Sequence, residues 1–272
     1  MRREESSCGS EESKSLHRNE SSVSNKLTRR IYYRFAVALL IKYNLYNPEL
    51  FKIIRLPKIE HDLFHLNSII KKGQITIDVG ANVGMYSVML SRLVGKNGLV
   101  LSFEPMSETF HFLNRTINGK LRKLPNVKIF QKALGNKVGK VSLAYTLGND
   151  DRISDPLTRI KDINGNVDIT TLDSFVSDLA LSDIDFIKVD IEGYEMEFFK
   201  GSKEVLTKYH PLILTEIDQK WLMRYNSSVN DIYDFLESLG YKAFRLVNST
   251  LSQVTERSEG NIYFRWIRND QS

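Results

Sequence analysis

Apolar positions along the chain change period in a regular way, and the changes mark out the elements. Ile75 to Val79 reads as a short, largely apolar strand. Val83, Tyr86, Leu90 and Val94 follow at helical spacing. The cycle repeats: a strand at Leu99–Phe103, a helical stripe at Phe110, Leu113 and Ile117, and a strand at Val127–Phe130. It resumes with a strand at Phe186–Val189, a helix carrying Met196, Phe199 and Leu206, and a strand at Leu212–Leu214. A helix with Ile232, Phe235, Leu236 and Leu239 comes next, then two closing strands near Ala243–Leu246 and Ile262–Phe264. Strands alternating with helices predict an α/β fold, a mainly parallel sheet covered on both faces. The closing strands are expected to add an antiparallel edge. Residues 139–172 depart from the pattern: strands at Val141–Tyr145 and Val167–Leu172 flank a polar loop rich in Asp, Asn and Gly.

The amino-terminal quarter reads differently. Residues 1–25 hold eight serines and almost no large apolar side chains, too little to offset ordering entropy, so a disordered leader is expected. Residues 27–45 predict a helix whose apolar stretch, Ile31 to Ile41, is interrupted by Arg34. That stretch is too short for a bilayer, which needs about 20 residues. Two uses fit it: packing on the main domain, or resting on a membrane surface as a basic amphipathic segment. The predicted organisation is a leader (1–25), a basic helical extension (26–58) and an α/β domain (59–272).

Charge sharpens this picture. The net charge is +5, yet residues 26–58 carry eight basic residues against Glu49 alone, a local +7, and the remainder is about neutral. A localised excess of this size argues against nucleic acid as a partner and for weak association with an anionic membrane. The single cysteine, Cys8, permits no intrachain disulfide, and the first apolar run begins only near Ile31. A cytoplasmic placement, at most at the membrane periphery, is therefore expected.

The chemistry concentrates at Asp78-Val-Gly80-Ala81-Asn82-Val-Gly84, where the first strand passes into its helix. Open α/β sheets bind ligands at the carboxyl ends of strands, and the glycines let backbone approach a ligand closely. A dinucleotide fingerprint needs G-x-G-x-x-G. The frame from Gly80 puts Asn82 and Met85 in glycine places, and the earlier frame puts Asp78 there. A P-loop pattern is absent. An anionic Asp78 repels a pyrophosphate but favours S-adenosylmethionine, which has no phosphate and carries an ammonium and a sulfonium. Glu104, ending the second strand, is placed to accept hydrogen bonds from ribose hydroxyls, a device dehydrogenases share. At the end of a central strand, Lys188-Val-Asp190-Ile-Glu192 offers carboxylates that bind cofactor, act as general base or hold a divalent cation; Glu216 ends the next strand beside them. The plainer alternative is that Glu192 and Glu195 cap the following helix.

Other motifs are weaker. His61 and His65 stand one turn apart, without further ligands in sequence, and read as a surface helix; His210-Pro211 introduces a strand. Asn149 to Ser154 is a polar loop suited to a hydroxyl-rich acceptor. No Asn-Pro-Pro-aromatic or Asp-Pro-Pro-aromatic motif occurs, since Asp155-Pro156 is followed by Leu157, and this disfavours methylation of base amino groups.

Taken together, Ile77–Gly84, Phe103-Glu-Pro105, Lys132-Ala-Leu-Gly135, Thr171–Phe175, Phe186–Glu195 and Pro211–Glu216 resemble the FkbM-type methyltransferases, over about residues 60–265. The resemblance implies a Rossmann-like class I fold and O-methylation of a hydroxyl on a sugar, glycan, glycolipid or related polyol. It implies cofactor contacts at Asp78, Gly80, Ala81, Asn82, Gly84, Glu104, Pro105 and Ala133, with Asp190, Glu192 and Glu216 as catalytic candidates. The resemblance leaves metal dependence open; the expectation here is a direct carboxylate base with no resident metal ion, a divalent cation being the secondary route. Tyr194 departs from the family's usual small residue. Two other readings stay open: a binding or scaffold protein on a decayed methyltransferase fold, and a nicotinamide oxidoreductase.

Overall fold

The computed structural model describes residues 62–119, 123–146, 157–179, 181–247 and 249–268, together with Phe35, Ala38, Leu39 and Lys42. The leader, most of the basic extension, His61 and the Asn149–Ser154 loop lie outside the described residues.

Eight strands form one sheet in the order β10-β9-β11-β8-β7-β1-β2-β3. The parallel part comprises β1 (Ile75–Val79), β2 (Leu99–Phe103), β3 (Val127–Phe130), β7 (Phe186–Val189) and β8 (Leu212–Ile217). β9 (Tyr241–Val247), β10 (Thr250–Gln253) and β11 (Gly260–Trp266) complete it. The expected antiparallel strands are present on the β8 side. There β11 runs antiparallel between β8 and β9, and β10 forms the edge. The chain leaves β1 towards β2 and β3, then returns to β7 on the other side of β1. The order reverses at β1/β7, which is where this architecture places ligands.

The helices are α1 (Asp62–His65), α2 (Met85–Val94), α3 (Ser107–Asn118), α4 (Leu172–Ser177), α5 (Glu195–Lys200), α6 (Lys203–Tyr209), α7 (Gln219–Leu222) and α8 (Val229–Ser238). The single helix read over Met196–Leu206 is thus two, broken at Gly201-Ser202. Local capping explains several ends. Ser228 and Asp231 form a reciprocal capping box at α8. Asp173 accepts hydrogen bonds from the Glu204 and Val205 amides at the start of α6, so part of the Thr171–Phe175 motif is structural.

Two apolar clusters sandwich the sheet because the strands alternate. Ile77, Val79, Ile187, Val189 and Ile213 face one side with Phe198 and Leu236. Val100, Phe186, Leu214 and Tyr263 face the other with Val88 and Leu113. A second, three-stranded sheet holds β4 (Ala133–Leu134), β6 (Leu157–Thr170) and β5 (Gly139–Thr146). The four described residues of the extension are helical and packed: Ala38 is buried, the Phe35 ring lies 5.3 Å from Phe112, and Lys42 Nζ donates to the Thr116 carbonyl on α3. Among the described residues no helix is long and apolar enough to cross a membrane.

Candidate active site

Register brings the site together. Ser102, Asp78, Lys188 and Leu214 stand side by side on β2, β1, β7 and β8. Asp78 is fully buried. Its Oδ2 accepts a hydrogen bond from Ser87 Oγ at 2.6 Å, and Ser87 in turn accepts one from Ser102 at 2.9 Å. Its Oδ1 has no hydrogen-bond partner. Burial pushes the Asp78 carboxyl up from its ordinary range, opposed first by the Lys188 ammonium and then by Ser87.

Beyond Asp78 the chain turns sharply. Gly80 and Ala81 both donate to the Phe103 carbonyl, at 3.0 and 2.9 Å. Gly80 has φ +77°, and a Cβ there would meet the Asp190 carbonyl oxygen at 1.9 Å. Asn82 is also left-handed, with its side-chain oxygen accepting from the Val83 amide at 2.9 Å. Gly84 leads into α2.

Glu104 ties this turn to the end of β2. Its Oε2 accepts from the Asn82 amide at 2.9 Å, and its Oε1 accepts from the Met106 amide at 2.9 Å and Thr109 Oγ1 at 2.8 Å. Burial raises its pKa, against those three donors. Glu104 therefore organises the loop, a task its sequence position did not reveal; Oε2 retains a second lone pair. Pro105 follows it, half-buried. Ala133 lies on β4 in the second sheet, buried with Val141, Ile169 and Tyr194.

The acidic segment after β7 is held from two sides. Asp190 accepts from Lys188 Nζ, with Oδ2 at 3.0 Å. Glu192 has φ +56°, unusual for a residue with a Cβ, and Gly193 has φ +105°, with the Trp221 carbonyl oxygen 2.3 Å from where a Cβ would stand. Such strain persists where surrounding structure imposes it and clusters at functional sites. The imposing group is Glu195. Its Oε1 accepts from the amides of Ile191 and Gly193, at 3.1 and 3.2 Å. Glu195 is thus more than a surface helix cap; it is buried, and burial pushes its carboxyl up to about 7. Glu216 is half-buried in β8, opposite Asn261.

Tyr194 joins the two sheets. Its ring belongs to the second sheet's apolar cluster and meets Tyr225 edge-on at 4.9 Å. Burial pushes its hydroxyl up to about 12. Of the other histidines singled out, His65 Nδ1 is 2.8 Å from Ser249 Oγ, and His210 stacks on Trp266 at 3.9 Å, each away from these acids.

Glu195 gives a pH signature. Its folded pKa is raised above the unfolded value, so protonation stabilises the fold: the contribution is complete below pH about 4.5 and is lost as pH rises through about 7. The full span is about 3 kcal/mol, from a shift of roughly 2.5 pKa units. Glu195→Gln is expected to flatten urea-unfolding stability between pH 5 and 8. Parallel curves for both proteins would show that Glu195 is not buried as an acid.

With this geometry described, comparison with known proteins is informative. The model of the FkbM methyltransferase domain matches residues 78–243. The chain belongs to that family. The match begins at Asp78 and includes every acidic site residue above, and it decides against the nicotinamide alternative. Methyltransferase 1 of Beauveria bassiana is 26% identical over 144 residues, 46% of this chain and 57% of that protein. The 2-O-methyltransferase NoeI of Sinorhizobium fredii is 25% identical over 210 residues, covering 72% of this chain and 80% of that one. The crystal structure of an FkbM methyltransferase from Methylobacillus flagellatus aligns at TM-score 0.47 and 17% identity, over 72% of this chain and 43% of that one. The chain thus spans less than two thirds of the Beauveria and Methylobacillus proteins.

Proposed function

We propose that this chain is an S-adenosylmethionine-dependent O-methyltransferase whose acceptor is a hydroxyl of a sugar, glycan, glycolipid or related polyol. The observation that carries the cofactor assignment is Asp78 Oδ1, a buried carboxylate oxygen without a partner two residues before the Gly80 turn. A buried anion with an unused lone pair suits a cationic ligand and opposes a pyrophosphate. Asp78, Asn82 and Glu104 are the residues that would hold the cofactor, Glu104 through the remaining lone pair of Oε2. Bound there, S-adenosylmethionine supplies an electrophilic methyl carbon on a sulfonium.

The chain's own task is then to orient an alcohol and take its proton. Asp190 fits that task, because Lys188 holds one of its oxygens and leaves the other as acceptor. Glu192 and Glu216 flank it and are assigned to orient the acceptor hydroxyls. The relation to NoeI, a 2-O-methyltransferase, supports oxygen as the methylated atom. The +7 segment supports a cytoplasmic protein with weak affinity for anionic membrane surfaces.

Thermal unfolding tests the cofactor. A native-state ligand at a hundredfold excess over its Kd stabilises by about 2.7 kcal/mol, or roughly 5–10 °C in a domain of this size. S-adenosylmethionine or its demethylated product is expected to give that shift, and NAD none. A shift with NAD alone would refute the assignment, and a shift with none of them would favour a decayed scaffold.

A further inference from the structure

Two lysines are buried among the described residues. Lys42 caps α3 through the Thr116 carbonyl. Lys188 lies instead at the candidate site. Its side chain is 6% exposed, its Nζ lies 3.0 Å from Asp190 Oδ2 and 4.7 Å from the centroid of the Tyr86 ring, and its strand partner on β1 is Asp78. Its other strand partner, on β8, is Leu214, so an apolar side chain suits this layer. Burying an ammonium costs several kcal/mol before its partners compensate. A buried charge kept beside a candidate site calls for a role there.

We infer that Lys188 is a positioning residue for the cofactor: its ammonium holds Asp78 and Asp190 together as two anions, so that a cationic cofactor binds without displacing a proton. This rests on the methyltransferase reading above. The charge count supports it. Two carboxylates and one ammonium leave one net negative charge. S-adenosylmethionine carries one net positive charge, from its ammonium, carboxylate and sulfonium together. The Lys188, Asp78 and Asp190 group is therefore neutral when loaded, and Glu104 beside it adds one negative charge. Without Lys188, the buried Asp78 would keep only Ser87 against its burial and the nearby Asp190 charge, and its protonated form would gain. Burial and Asp190 both raise the Asp78 pKa, and the Lys188 ammonium is the largest opposing influence. The remaining groups around the set are Ser87 and Tyr86 on α2, Ser102 on β2, Glu104 after β2, Glu192 and the buried Glu195 after β7, whose carboxyl is raised to about 7 by burial and to a smaller extent by Asp190, and Glu216 on β8. Of these, Glu104 is the carboxyl coupled to Asp78, and its own three donors stabilise its charge.

Calorimetric titration of the full chain with S-adenosylmethionine at pH 6.5, in two buffers of different ionisation enthalpy, counts protons released on binding. The count is made in the Glu195→Gln background, which removes the one neighbouring carboxyl raised to about 7; there the protein with Lys188 is expected to release close to none. K188M is expected to release about one, and to bind about tenfold more weakly, the equivalent of one pKa unit. K188R keeps the charge and is expected to restore both values. Carboxyl ¹³C NMR of ligand-free, aspartate-labelled protein gives an independent reading: K188M gains one aspartate protonated near pH 6.5. If K188M does not fold, K188Q replaces it in both measurements. A wild type that binds neither S-adenosylmethionine nor its demethylated product overturns the methyltransferase reading. Unchanged proton release and unchanged aspartate titration in the lysine variant overturn the role of Lys188.

Discussion

Gly80→Val is expected to destabilise the domain by about 2–5 kcal/mol, a large share of the roughly 5–15 kcal/mol that holds a typical domain folded. Two costs add. A left-handed residue with a Cβ loses about 1–2 kcal/mol, and a β-branched one fits such a φ poorly. Overpacking adds about 1–3 kcal/mol where the neighbour cannot yield. Here the neighbour is the Asp190 backbone carbonyl, 1.9 Å from an added Cβ, with the Ile191 side chain at 3.1 Å behind it. Both ends of this contact are pinned, Gly80 by the hydrogen bond its amide donates to the Phe103 carbonyl and Asp190 by the one its amide donates to the Val79 carbonyl. From the sequence alone, valine at this position is expected to obstruct the cofactor and spare the fold. The structure revises that: the missing Cβ makes room for the chain leaving β7. A fall in the urea midpoint checks this, and an unchanged midpoint would mean that the turn relaxes freely.

Asp190→Asn carries the largest expected effect on turnover, a loss of about 100-fold or more, within the range for removing a general base. The side chains are nearly the same size, so folding should survive apart from the loss of one ion pair with Lys188. The measurement is the initial rate with a verified hydroxyl acceptor, beside calorimetry with the cofactor. A rate loss without matching loss of cofactor affinity assigns Asp190 to the acceptor side. A direct carboxylate base leaves the rate insensitive to chelator, whereas a cation held by the same acids would make it sensitive; the first outcome is expected. Near-normal turnover would make the Asp190–Glu195 acids structural.

Much of this protein follows from one-dimensional pattern. The strands β1, β2, β3 and β7 are legible from their short, mostly apolar runs, because each presents apolar side chains to a covered face of the sheet. The Asp78–Gly84 turn, Glu104 and the acids after β7 are also legible, since each ends a strand where an open α/β sheet has its crevice. The small strands β4 and β10 have too few residues to show a period. The separate three-stranded sheet is equally hidden, because partner choice between strands is a long-range matter.

What only the tertiary structure decides is which neighbours each polar group meets. The sequence places Lys188 two residues before Asp190, but only the β1–β7 register sets it against Asp78. Ser87 and Ser102 become supports of Asp78 through a helix and a strand meeting across the sheet face. Glu195 reads as a helix cap until the fold buries it and turns its carboxylate back on the Ile191 and Gly193 amides. Gly80 reads as room for a ligand until β7 brings the Asp190 carbonyl against it. Side-chain type and period set which residues can be buried, and are carried by local sequence. Hydrogen-bond partners, charge pairing and close backbone approach depend on which strands lie side by side, and folding alone decides that.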